Sequence, residues 1–308
     1  MPPTNVTQFA DYPLLYAAGL TEVFEDSLKQ HTKDYAMWLK EETVKRYYDT
    51  DYAVSGFGEM PEKGIGESFS TDKIMKGISK QYSLTAYGLS VVIEYEAMRW
   101  ELYGVMDGLG EELARSATRR YIVTAYSLWN NSFTAPNSRY QTSYSQDIID
   151  AAHTRIDGGT WSNRSSTNAA LSYLAIQQAF TDIGKLVGDR GQYVILQPKM
   201  LVCGLENAWI AKEIFGSSAR PDQDNPGVKN LLSSALSVHE SPYITSTTAW
   251  WIVCDKNQVR IKMRNGDRPK LERDSDFRNR NLLMSVYCSF DVAVYDSRGW
   301  HGSDGLGV

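Results

Sequence analysis

The segment from Tyr52 to Phe69 limits what this chain can fold into more than any other. It reads Tyr-Ala-Val-Ser-Gly-Phe-Gly-Glu-Met-Pro-Glu-Lys-Gly-Ile-Gly-Glu-Ser-Phe, with glycine at 56, 58, 64 and 66 and proline at 61. Glycine and proline interrupt it too often for a helix, and the alternating residues between them suit short strands flanking a flexible tip. It holds too few large apolar side chains to bury itself. At about 3.3 Å per extended residue, a hairpin arm of some ten residues each way reaches roughly 30 Å from its body. An arm of that kind needs another surface to lie on.

The rest of the chain has the patterning of a packed body. From Leu14 to Tyr48 the residues Leu15, Leu20, Phe24, Leu28, Tyr35, Leu39 and Val44 recur at helical spacing, which predicts one amphipathic helix or two. Leu89 to Tyr95 reads as a strand. Leu109 to Asn131 carries the strongest helical stripe, with Leu113, Ala117, Ile122, Ala125 and Leu128 on one face. There Glu111 and Glu112 precede Arg115, Arg119 and Arg120, in accord with the helix dipole. Residues 134–166 are polar and turn-rich. A helix over Asn168–Val187 is expected to stop at Gly188-Asp-Arg-Gly. Beyond it, Tyr193-Val-Ile-Leu reads as a buried strand, and Pro198 opens a helix over roughly Leu201–Phe215. Strands are expected at Leu231–Val238, Trp250–Cys254, Val259–Met263 and Leu283–Tyr295, and the Gly-rich tail from Gly299 reads as partly loose. No repeat of about 20 to 50 residues is visible, which argues against solenoids and propellers. The class is α+β.

Composition narrows the function. A length of 308 residues allows one large or two ordinary domains. With 32 Lys and Arg against 37 Asp and Glu, the net charge is −5, and no basic block is long enough to grip phosphates by counterion release. Cys203, Cys254 and Cys288 are far apart and odd in number, which fits reduced core residues better than a disulfide framework or a metal pair. The start of the chain lacks the charged and apolar regions of a secretory signal, so folding in a cytoplasm is expected. The best apolar run, Leu89 to Ile93, stops at Glu94, far short of the roughly 18 residues of a membrane helix. One figure is unusual: 12% of residues are aromatic, including 19 Tyr and 8 Trp, which points to extensive protein contacts.

Site chemistry is sparse. Gly56-Phe-Gly58 and Gly64-Ile-Gly66 both lack the third glycine and the following helix of a dinucleotide fingerprint. His31, His153, His239 and His301 are too scattered to suggest a zinc site, and no cofactor is expected. Ser70-Thr-Asp-Lys73 matches the loose SxxK pattern of serine acyl-enzymes without its companion motifs, so a cytoplasmic hydrolase using Ser70 and Lys73 is a minor alternative. Asp222-Gln-Asp224 lacks the glycine and glutamate of a calcium loop.

The order of parts resembles the major capsid protein of tailed phages with the HK97-type fold, in particular the branch similar to the Mu-type major head subunit. The residues that carry the likeness are the hairpin Phe57 to Phe69; Tyr95-Glu-Ala-Met-Arg-Trp-Glu-Leu-Tyr-Gly-Val-Met leading into Leu113-Ala-Arg-Ser-Ala-Thr and Trp129-Asn-Asn-Ser-Phe; Gln197-Pro-Lys-Met-Leu-Val; Ala249-Trp-Trp-Ile-Val; and Val294-Tyr-Asp-Ser-Arg-Gly-Trp-His-Gly-Ser. The resemblance implies an N-arm over 1–47, an extended E-loop over 48–92, a P-domain with its spine helix over 93–165, an A-domain over 166–283, and P-domain return strands with a tail over 284–308. It implies inter-subunit contacts through Phe57, Gly58, Met60, Lys63, Ile65 and Phe69 of the E-loop and through Tyr16, Leu20 and Phe24 of the N-arm. Some relatives join subunits by an isopeptide bond; Lys63, Lys73 and Lys76 are available donors here, but no Asn or Glu matches that motif.

The function implied is a non-enzymatic head subunit that self-assembles into pentamers and hexamers. The shell would enclose double-stranded DNA without reading its sequence. Its expected partners are a separate scaffolding protein, a portal and decoration proteins, with assembly in the host cytoplasm and residence in the virion. Another virion protein, such as a decoration or tail subunit, is the runner-up.

Overall fold

The computed structural model describes residues 22–29, 33–100, 108–222 and 228–306. In chain order these form helix α1 over 22–29, strands β1 (Lys40–Thr43) and β2 (Tyr48–Asp51), and then the Gly-rich arm. The chain returns through β3 (Lys80–Ser83) and β4 (Thr85–Ile93), a short helix α2 (Tyr95–Arg99) and the long helix α3 (Leu109–Asn130). A turn-rich stretch carries the two-residue strands β5 (His153–Thr154) and β6 (Thr160–Trp161). There follow α4 (Tyr173–Gly184), β7 (Pro198–Cys203), α5 (Leu205–Gly216), β8 (Ser237–Glu240), β9 (Trp250–Cys254), β10 (Arg260–Asn265), β11 (Lys270–Ser275), β12 (Leu282–Asp296) and β13 (Trp300–Ser303).

Two sheets organise these elements. The larger is built on β12, whose fifteen residues pair antiparallel with β4 on one edge and with β11 and then β10 on the other. β1 adds to β10 in parallel. The smaller sheet has the order β13-β9-β7-β8, with β7 and β8 parallel. Helix α3 buries Leu113, Ala117, Tyr121, Ala125 and Leu128, spaced to fall on one face, against the larger sheet. α4, capped by the Ser172 hydroxyl, and α5 cover the smaller sheet.

The sheets meet at an aromatic centre. Trp129 of α3 stacks on Trp300 of β13 with ring centroids 3.7 Å apart, while Trp38 and Trp251 close on Trp129 at 4.9 and 5.4 Å. Tyr121 stacks on Phe290 of β12 at 3.7 Å. Trp38, Trp129, Trp250, Trp251 and Trp300 are all buried. Much of the aromatic excess is therefore spent inside the chain's own core.

Several expectations are corrected. The helical spacing over 14–48 holds only for 22–29 and a short 3-10 turn at Asp34–Met37 among the described residues; Lys40–Thr43 is a strand, because parallel pairing to β10 overrides the 3.6-residue spacing of Tyr35, Leu39 and Val44. Tyr193 and Ile195 are exposed and no strand forms there. Pro198 opens a strand, and the helix that follows begins at Leu205. The strand expected at Leu231–Val238 is a turn followed by β8 at Ser237. Lys270–Ser275, not anticipated, is an edge strand with a mostly exposed side-chain pattern. The tail from Gly299 is not loose: β13 is buried at every position and pairs with β9. Sheet membership also departs from the boundary at 283, since β10 and β11 belong with β12, and β13 belongs with β7 and β9.

Trp300→Ala is expected to destabilise the fold by about 3–5 kcal/mol, since it empties the centre of the stack; urea unfolding followed by fluorescence measures it. His301 supplies an acid dependence. Burial pushes its pKa down to about 4, against about 6.5 when unfolded. Between these values the unfolded chain holds a proton that the fold refuses, so stability falls as pH drops from about 6.5 to about 4 and levels off below. The expected loss is about 2–3 kcal/mol between pH 7 and pH 4.5. His301→Gln should flatten that difference when unfolding is measured at both pH values.

Candidate functional site: the arm and its root

The arm leaves the body between β2 and β3, which pair in the register Tyr48↔Ser83 to Asp51↔Lys80. Period-2 alternation puts Asp49 and Asp51 on one face of β2, where both accept from Arg264 of β10. The Arg264 side chain is only 4% exposed, so its charge depends on these carboxylates. On β3, the half-buried ammonium of Lys80 donates to the carbonyls of Ser138, Gln141 and Val294, and desolvation lowers its pKa to about 8. Tyr82 Oη donates to the Val294 carbonyl at 2.9 Å, and Tyr295 Oη to that of Ile78 at 2.6 Å. The root is thus fastened to β10 and to the end of β12 by charged and hydroxyl donors.

Outward from the root the ladder thins quickly. Gly77 N–H donates to the Ala53 carbonyl and Ser55 N–H to the Met75 carbonyl. Beyond them, Gly58 N–H donates to Asp72 Oδ2 at 2.7 Å, and Arg190 reaches the same carboxylate from the body. The expected ten-residue hairpin legs are therefore four-residue strands extended by isolated bonds. The tip turns at Gly66, whose φ of +83° lies in the left-handed region that favours glycine.

The structure places the sequence-predicted residues unevenly. Phe57, Met60, Ile65 and Phe69 are 64%, 91%, 108% and 82% exposed, and Lys63 Nζ lies 4.9 Å from the Phe69 ring centroid. Tyr16 and Leu20 fall outside the described residues. Phe24 is corrected: expected to touch a neighbour, it is 1% exposed and packs on Ile93, Leu113 and Met284 of its own chain. Arg264, Lys80, Asp72 and Arg190 were not anticipated; the alternation of Asp49 with Asp51 was the one local signal for such a root.

Ser70 and Lys73 are both exposed on the arm. Cys203 and Cys254 are buried thiols pushed up to about 12, and Cys288 to about 11. A groove of about 330 Å³ opens between α3 and the larger sheet, lined by Tyr87, Leu89, Leu113, Ala117, Arg120 and Val286 among others. Among the described residues no helix is long and apolar enough to cross a membrane.

A sheet built on one long strand, a long helix across it, a smaller α/β unit and a projecting hairpin define the HK97-type capsid fold. The arrangement is similar to the capsid of bacteriophage JBD30, at a TM-score of 0.57 with 13% identity over 71% of this chain and 93% of that one. It is similar also to the capsid of cyanophage P-SCSP1u, at 0.57 with 8% identity over 86% and 85%. A virus-like particle from Pyrococcus furiosus matches at 0.54 with 7% identity, covering 94% of this chain and 99% of that one. No curated protein sequence matches. Residues 77–301 match the family model described as phage capsid protein, and the chain belongs to that family. It is a phage capsid protein.

Replacing Asp49 and Asp51 together by Asn should cost about 3 kcal/mol, because Arg264 would remain buried without its carboxylates. Urea unfolding checks the cost, and amide exchange should show β2 and β3 opening before β12.

Proposed function

We propose that the chain builds the head as pentamers and hexamers around double-stranded DNA, with the arm of each subunit lying on its neighbour. The observation that carries this reading is the set of exposed apolar side chains on an arm fastened only near its root. Four large apolar groups held in water gain free energy, roughly 25 cal/mol per Å² of apolar surface, once another surface covers them. The groove between α3 and the larger sheet is a suitable receiver. The root of the chain's own arm lies beside Val294, about 26 Å along β12 from Val286 at about 3.3 Å per residue. A contact between an arm on one subunit and a groove on the next is head-to-tail, a contact that closes into a ring when its rotation closes. Charge agrees, since the tip carries Glu59, Glu62 and Glu67 against Lys63, and Arg120 borders the groove.

A separate scaffolding protein, a portal and decoration proteins would complete the head, which would assemble in the host cytoplasm and persist as the virion. The net charge of −5 suits a container that holds DNA without gripping it. Deleting Gly58 to Gly66 tests the reading. The variant should stay folded, with its thermal midpoint within a few degrees of the parent, and should form no closed shells by electron microscopy, with scaffold supplied. Closed shells from the deletion variant would sink the proposal.

A further inference from the structure

The turn Gly188–Gly191, which in sequence reads as a helix stop, presents two charged residues in different directions. It closes with Gly191 N–H donating to the Gly188 carbonyl at 3.1 Å and Gly188 N–H to the Gln192 carbonyl at 2.7 Å. Gly191 adopts a φ of +79°, as such a turn requires. Asp189 faces the body and accepts from Arg298 at 2.8 Å; Arg298 also holds Asp296, the last residue of β12, at 2.9 Å. Arg190 faces the arm. Its guanidinium donates to Ser55 Oγ at 3.1 Å, to Asp72 Oδ2 at 2.6 Å and to the Lys73 carbonyl. Ser55 Oγ accepts the Met75 N–H and Asp72 accepts the Gly58 N–H. Arg190 holds the Asp72 carboxyl down at about 2. Among the described residues, no hydrogen bond or ion pair joins 59–71 to the body, so this clasp is the last tie before the tip.

We propose that Arg190 is the positioning residue of the arm: by bridging Ser55 on the outgoing leg with Asp72 and Lys73 on the returning leg, it fixes the direction in which 59–71 depart. It thereby decides where the tip lands on the next subunit. The lever makes the angle matter. Six or seven extended residues span about 20 Å, so a tilt of about 10° at the clasp moves the tip by about 3.5 Å, enough to lose side-chain contact. The inference rests on the reading of the arm as a contact between subunits.

The test uses the full chain with Arg190→Ala and Arg190→Lys, compared by amide exchange in the unassembled subunit and by the diameters of assembled shells. In Arg190→Ala the Gly58 and Met75 amides should exchange roughly five- to thirtyfold faster, the factor that one or two kcal/mol brings. Amides of α3 and β12 should be unchanged, and Arg190→Lys should fall between. Shells of Arg190→Ala should be open or scattered in diameter. Unchanged exchange at Gly58 and Met75, faster exchange spread evenly through the body, or shells of parental diameter would each overturn the assignment. The exchange readout needs no assembly, so its failure is distinct from closed shells forming without the arm, which would strike the shell reading instead.

Discussion

The stack of Trp129 on Trp300, with Trp38 and Trp251 closed around it, is the contact on which the rest of the architecture depends. It draws together the long helix, the last strand of the smaller sheet, the N-terminal segment before β1, and β9. Each ring removes a large apolar area from water, and stacked and tilted pairs add about 0.5–1.5 kcal/mol beyond area. The joint sits in one buried cluster that also takes Met200, Val202 and Val253 of the smaller sheet and Ile261, Met263 and Val292 of the larger. With it, the body is stiff enough to carry an arm that has no core of its own.

That arm divides its chemistry by distance from the body. At the root, ion pairs and hydrogen bonds do the fastening, with Arg264 buried and Lys80 half-buried there. Burying those charges is costly, and removing their partners would be costlier, so the root is specified sharply though not made especially stable. At the tip the polarity is reversed, with Phe57, Ile65 and Phe69 in solvent. A body that buries six tryptophans while leaving these exposed is not short of apolar packing. Under the proposed function these side chains are covered by the next subunit.

Legibility in the sequence follows the range of the interactions. The stripe from Leu113 to Leu128 and the alternation along β12 were readable because their partners repeat at fixed local spacing, and the arm was readable because its glycines and proline deny it a core. β1 was not: Tyr35, Leu39 and Val44 have helical spacing by coincidence, and the pairing of Lys40 with Lys262 that overrides it lies far away in the chain. The tail misled for the same reason, since its glycines suggest freedom while Trp300 sits at the centre of the fold. Of the site, the tip could be found by the absence of local partners. The root could not, because Arg264 lies 213 residues from Asp51 and 215 from Asp49.

The family match begins at Gly77, close to where the returning leg regains the body. From there to His301 nearly every element answers to the chain's own packing: β4 to β12, α3 to the aromatic centre, β13 to β9. Residues 59–71 answer to none of it among the described contacts. In the proposed assembly their side chains are set by the surface they cover, and a change in that surface requires a change in the arm. Two requirements thus act on separate stretches of one chain, a core that must pack and an arm that must fit, with Arg190 and Asp72 at the border between them.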